Sequence, residues 1–141
     1  MAKRILVPVD FTDATDAIVP LVAGLAAGAG ATVRLLHVAP APHSLVSDDG
    51  LVIAYLDQEA ARLEADALDR LHVVEAQLGE VPVESVVRFG DVARAVLAEA
   101  EEFGADLVAL TTHARRRLGD VAARVVKAAP RLPVLMLRAG T

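Results

Sequence analysis

Apolar positions fall into five short, nearly unbroken runs, separated by longer segments in which they recur every three or four residues. The first run is "RILVPVD", closing at Asp10. The second is "TVRLLHV", Thr32 to Val38, set off by "GAGA" before it and "APAP" after it. "VPVESVVRF" (Val81 to Phe89), "DLVALTT" (Asp106 to Thr112) and "PVLMLR" (Pro133 to Arg138) complete the set. Runs this short, bounded by turn formers, predict strands buried on both faces.

The intervening segments predict helices. Asp13 to Ala29 is rich in Ala and Leu; Thr12 or Thr15 is available to cap its start, and Gly28 and Gly30 mark its end. Pro20 belongs either in its first turn or at a kink. Pro40 to Gly50 combines turn formers with polar residues and predicts a loop. Leu56, Ala60, Leu63, Ala67, Leu71, Val74 and Leu78 then trace one face of a long helix, with Arg62–Asp66 and Asp66–Arg70 spaced for ion pairs on the outer face. "GDVARAVLAEAEEFGA" predicts a helix capped by Asp91 and closed by Gly104, and a last helix runs from about Val121 to Ala129, stopped by Pro130. Strand and helix alternate throughout, which implies a parallel sheet covered on both faces. No linker or repeat divides the chain, so residues 1–141 read as one α/β domain.

Composition narrows the function. The chain is 55% hydrophobic but 3% aromatic, so Ala, Val and Leu must fill the core. A net charge of -5 and the scarcity of stacking rings argue against nucleic acid as a partner. No stretch reaches the roughly 18 uncharged apolar residues of a membrane span. With no Cys, disulfides and thiolate metal sites are excluded, and a cytoplasmic location is expected. The four histidines, His37, His43, His72 and His113, form no metal-ligand spacing, so no metal is expected. No Walker loop or G-x-S-x-G elbow is present.

In a doubly wound sheet, ligands sit beyond the carboxyl ends of the strands where strand order reverses. If the first and fourth strands are neighbours, the candidate crevice lies between "DFT" at Asp10 to Thr12 and "TTHARRRLGD" at Thr111 to Asp120. "ILVPVDFT", "LLHV", "GDVARAVLAEAEEFGADLVALTTH" and the closing "GDVAARVVKAAPRLPVLMLR", in that order, resemble the universal stress protein family over essentially the full length. The resemblance implies a Rossmann-like fold of the adenine nucleotide alpha hydrolase type, with five parallel strands in the order 3-2-1-4-5. It also implies a cytoplasmic homodimer joined through the last strand, here Val134 to Arg138, and a stress-response or regulatory role through an unknown protein partner.

Nucleotide-binding members of that family resemble one another in a loop of the form G-x-x-G-x9-G-(S/T) after the fourth strand. Bare backbone there approaches the phosphates, and a helix start receives the anion. Aligned to this pattern, Thr111 and Ala114 stand where two glycines belong. Gly119 keeps the third, only Arg115 to Leu118 intervene, and Asp120 replaces the hydroxyl residue. Asp120 is suited to capping the helix with the N–H groups a phosphate would need, and its charge repels an anion by about 4 kcal/mol at contact for an effective dielectric near 20. Weak ATP binding is the expectation, with no cofactor required.

Three consecutive guanidinium groups, Arg115, Arg116 and Arg117, offer a side-chain alternative for an anion, against the plainer reading of a solvated charge run. The resemblance also maps Asp10 to a ribose or metal contact and Val38 to a backbone contact with adenine. ATP or AMP is therefore the ligand class left open, with AMP less disfavoured. His113 beside Asp10 is the one polar pair an enzyme reading could use; a non-enzymatic protein is favoured.

Overall fold

The computed structural model describes residues 3–11, 13–40, 51–113 and 120–139. Its elements run β1 (Lys3–Pro8), α1 (Asp13–Ala29), β2 (Ala31–Ala39), α2 (Leu51–Gln77), β3 (Val83–Phe89), α3 (Val92–Phe103), β4 (Leu107–His113), α4 (Asp120–Ala128) and β5 (Val134–Ala139). The strands form one parallel sheet in the order β3-β2-β1-β4-β5. All five expected strands are present, with ends displaced by one or two residues. The expected loop from Pro40 to Gly50 lies outside the described residues, Pro40 itself excepted.

Side-chain alternation in the strands divides the core into two layers. Ile5, Val7, Val9, Val33 and Leu35 face α1 and α2, where Ile18, Val22, Leu71 and Val74 meet them. Leu6, Leu36, Val108 and Leu110 face α3 and α4, against Val96, Phe103 and Val125. Long residues in the sheet and Ala on the helices let the layers close with few aromatic rings. α2 lays its apolar face on β2 and β3. Among the described residues no helix is long and apolar enough to cross a membrane.

Pro20 lies at an exposed position well inside α1, beyond the first turn. Its missing N–H leaves the Asp16 carbonyl to solvent instead of breaking a buried bond. Of the two candidate caps, Thr12 lies outside the described residues, and Thr15 is the third helical residue, buried, with its hydroxyl donating to Asp10 Oδ1 at 3.4 Å. α3 follows its sequence signals closely. Asp91 accepts from the Arg94 N–H at 2.9 Å, and Gly104 closes the helix at φ 69°. A Cβ at Gly104 would lie 3.0 Å from Nη1 of Arg4, whose guanidinium donates to the Phe103 carbonyl at 3.1 Å. Gly104→Ala is expected to lower the unfolding free energy by about 1–2 kcal/mol, the left-handed strain of an L-residue, as read by the urea midpoint.

One polar network is buried within the α3 layer. Glu99 is 2% exposed; its Oε2 accepts from Arg34 Nη1 at 2.9 Å and its Oε1 from Arg88 Nε at 2.8 Å. Arg34 also pairs with Glu84 and lies 4.3 Å from the centre of the Phe103 ring, while Arg88 reaches Glu102 at 2.7 Å. Burial pulls the Arg34 guanidinium pKa down, but its bonds to Glu84 and Glu99 outweigh that and hold it above the ordinary value. The network ties β2, β3 and α3 together.

Candidate functional site

β1 is the strand from which the sheet grows in both directions, so its carboxyl end is where strand order reverses. Its pairing with β2 continues to Pro8↔Leu36, but its register with β4 covers Ile5↔Leu107 and Leu6↔Val108 alone. β4 meanwhile stays paired with β5 as far as His113↔Ala139. Past Leu6 and Val108 the ladder between the two central strands stops, Pro8 having no N–H to donate to it; beyond the strand ends the chain leaves β1 for α1 on one face and β4 for α4 on the other, which makes a fork. This is where strand order places a crevice.

Asp10, exposed, follows β1 at the mouth of this fork. Val38 lies across from it near the end of β2. The Leu36 carbonyl accepts from Val9 N–H at 2.8 Å, and the Ala39 carbonyl accepts from Gly90 N–H at 2.9 Å on the opposite side. Backbone direction alternates along a strand, so Val38 turns its amide edge towards β1, beyond the last register pair of the two strands. A peptide edge of this kind carries one donor and one acceptor, the pair a heterocycle needs.

Thr111 and His113 are strand residues. Thr111 is half-buried and pairs with Leu137, and Thr112 pairs with Arg138. The backbone at the position of the family's first glycine is thus held in a regular ladder. Asp120 opens α4 as its first helical residue instead of standing ahead of it as a cap. Ala114, Arg115, Arg116, Arg117 and Gly119 lie outside the described residues. Asp10, Val38 and Thr111 are therefore brought to one end of the sheet, on either side of the fork.

Sequence reasoning missed two features here. Phe11, directly after Asp10, has φ 59°, a left-handed conformation that a bulky residue rarely adopts. Its ring lies 4.3 Å from the His37 ring, centre to centre, and 5.4 Å from the Arg70 guanidinium carbon. His37 Nδ1 lies 2.9 Å from the Val9 carbonyl, which accepts; Nδ1 therefore carries the proton. The expected Arg62–Asp66 pair forms at 3.7 Å, but Arg70 turns to Phe11 instead of pairing with Asp66. The signal was its spacing: Arg70 falls three residues after Ala67 and four before Val74, at the margin of the buried stripe.

The second feature is a clasp between α3 and α4. Both oxygens of Asp91, already the cap of α3, accept from Arg124 on α4, at 2.9 and 2.8 Å. These bonds, then the Arg94 N–H, hold the Asp91 carboxyl below its ordinary pKa of 3.8. A depressed folded-state pKa stabilises the fold above the ordinary value, and the contribution disappears as pH falls through the folded pKa. The melting-temperature gap between wild type and Asp91→Asn is expected to be widest near neutrality and to narrow below about pH 4. Among the described residues, no group of three His, Asp or Glu side chains could hold a metal ion.

The model of the universal stress protein family matches residues 1–138. No curated protein matches the chain. Among solved structures, the hypothetical protein MJ0577 superposes with a TM-score of 0.80 at 20% identity, over 99% of this chain and 97% of that one. The universal stress protein UspA from Lactobacillus plantarum gives 0.70 at 24% identity, over 96% and 97%. A universal stress protein from Archaeoglobus fulgidus, in complex with dAMP, gives 0.62 at 19% identity, over 95% and 96%. At these identities the likeness is one of fold.

Proposed function

The chain belongs to the universal stress protein family, and from that premise we propose that it is a homodimeric regulatory protein of the cytoplasmic stress response that does not hold ATP strongly. The observation that carries this reading is the β4 ladder. Thr111 pairs with β5 where relatives that grip a triphosphate are expected to bend on glycine, so the backbone is already committed to its neighbour strand. The chain also spans the position with five fewer residues than the family loop, and Asp120 places a negative charge at the start of α4.

Dimerisation through β5 is supported by its place at the edge of the sheet, with Met136 47% exposed. Sedimentation at micromolar concentration is expected to give twice the chain mass; a single monomer boundary would reject the dimer.

Titration calorimetry is expected to give an ATP dissociation constant above about 100 µM, weaker than about -5.5 kcal/mol. Saturation in the low micromolar range would defeat the reading.

A second reading is favoured by the Val38 edge, which lies beyond the last register pair with β1 and near Asp10, and by the dAMP complex of the Archaeoglobus fulgidus protein. In it the crevice keeps its adenosine end, and adenosine or AMP is the ligand. Adenosine then binds in calorimetry while ATP gains nothing from its two outer phosphates; equal silence towards adenosine, AMP and ATP would remove this reading and leave the first.

A further inference from the structure

Phe11, next to Asp10 just after β1, and His37, next to Val38 in β2, are in ring contact, and Arg70 from α2 lies against the same Phe11 ring. Arg70 is exposed and makes no ion pair or hydrogen bond among the described residues, although Asp66 stands one turn away. A guanidinium that passes over a carboxylate on its own helix for an aromatic face keeps all five N–H donors available. His37 has its Nδ1–H committed to Val9, and Nε2 meets no partner among the described residues. In the neutral ring that nitrogen accepts. Phe11 meets both groups from a left-handed backbone, the kind of strain that gathers at ligand clamps.

We propose that Arg70 is the phosphate-binding residue of this crevice, held at its α2 side by Phe11, with His37 Nε2 accepting from a hydroxyl of the same ligand. The ligand class is a nucleoside monophosphate: one anion for one guanidinium, and a sugar hydroxyl for the imidazole. The inference rests on the second reading above, in which the adenosine end of the crevice is kept. It moves recognition of the anion from backbone amides at the start of α4 to a side chain on the opposite layer of the fold. Phe11 acts as a positioning residue, since its ring contacts both His37 and Arg70.

The test is calorimetric titration of wild type, Arg70→Gln, Arg70→Lys and Phe11→Leu with adenosine and with AMP. Each variant is first checked by thermal melting, and Arg70→Lys serves if Arg70→Gln does not fold. Wild type is expected to prefer AMP by about tenfold, as one charge-assisted contact requires. Arg70→Gln should abolish the preference and leave adenosine affinity unchanged. Arg70→Lys should retain part of it, and Phe11→Leu should reduce it. A preference for AMP that survives Arg70→Gln overturns the inference while the adenosine reading stands, as does wild-type binding of adenosine with no gain for AMP. Silence towards both ligands overturns the adenosine reading and this inference together.

Discussion

Glu99→Ala is expected to lower the unfolding free energy by about 3–5 kcal/mol, read as a lower urea midpoint with an unchanged slope. Total stability of a domain of this size is of the order of 5–15 kcal/mol, so the variant would lose a large fraction of it. Removing the carboxylate leaves Arg34, with 18% of its side chain exposed, and Arg88, with 32%, facing each other over the α3 layer without their shared anion. Their outer partners, Glu84 and Glu102, are 50% and 67% exposed and hold them weakly. Glu84→Ala should therefore cost far less than Glu99→Ala. Equal losses would show that the inner carboxylate carries no special weight.

Leu6→Ala is the second large effect, about 3 kcal/mol by the same measurement. Leu6 is fully buried in the central strand against the α3 layer, and its register partner Val108 is the last rung between β1 and β4. A cavity there would loosen the base of the fork. Amide exchange at Leu6 and Val108 should accelerate more than exchange in β2 or β3. If protection fell evenly over the sheet, the idea that this rung sets the base of the crevice would fail.

The strands were legible because each is an apolar run with turn formers at both ends. "TVRLLHV" needs no partner to be read as a buried strand, and its own ends differ from the fold by one residue on each side. Asp91 and Gly104 were legible because capping depends on neighbours three or four residues away. The ion network was not, because Arg34 and Glu99 are 65 residues apart and only the packed layers bring them together. A local trace of it existed. In "AEAEEFGA", Glu99 shares the inward face with Val96 and Phe103, whereas Glu101 and Glu102 do not.

At the site, the location of the crevice followed from strand order and the resemblance. The fold places Asp10, Val38 and Thr111 at that end of the sheet. Phe11 was overlooked because nothing in "DFT" announces a left-handed backbone at a residue other than Gly or Asn. Arg70 was assigned to Asp66 by spacing, and the aromatic ring that attracts it belongs to a loop 59 residues earlier. Helix spacing describes a cylinder in water; it has no knowledge of what the sheet lays beside it.

The reversal of strand order at β1 and β4 bears on how such a molecule changes over generations. The place for a guest is set by strand order, while the grip on any guest comes from side chains and turns added at its rim. Substitutions at the rim can thus exchange one guest for another, or dispense with guests altogether, without touching the anchorage that keeps the chain folded. A scaffold arranged in this way can be retuned at little thermodynamic risk, and an empty receptacle would persist in it long after its first occupant had been abandoned.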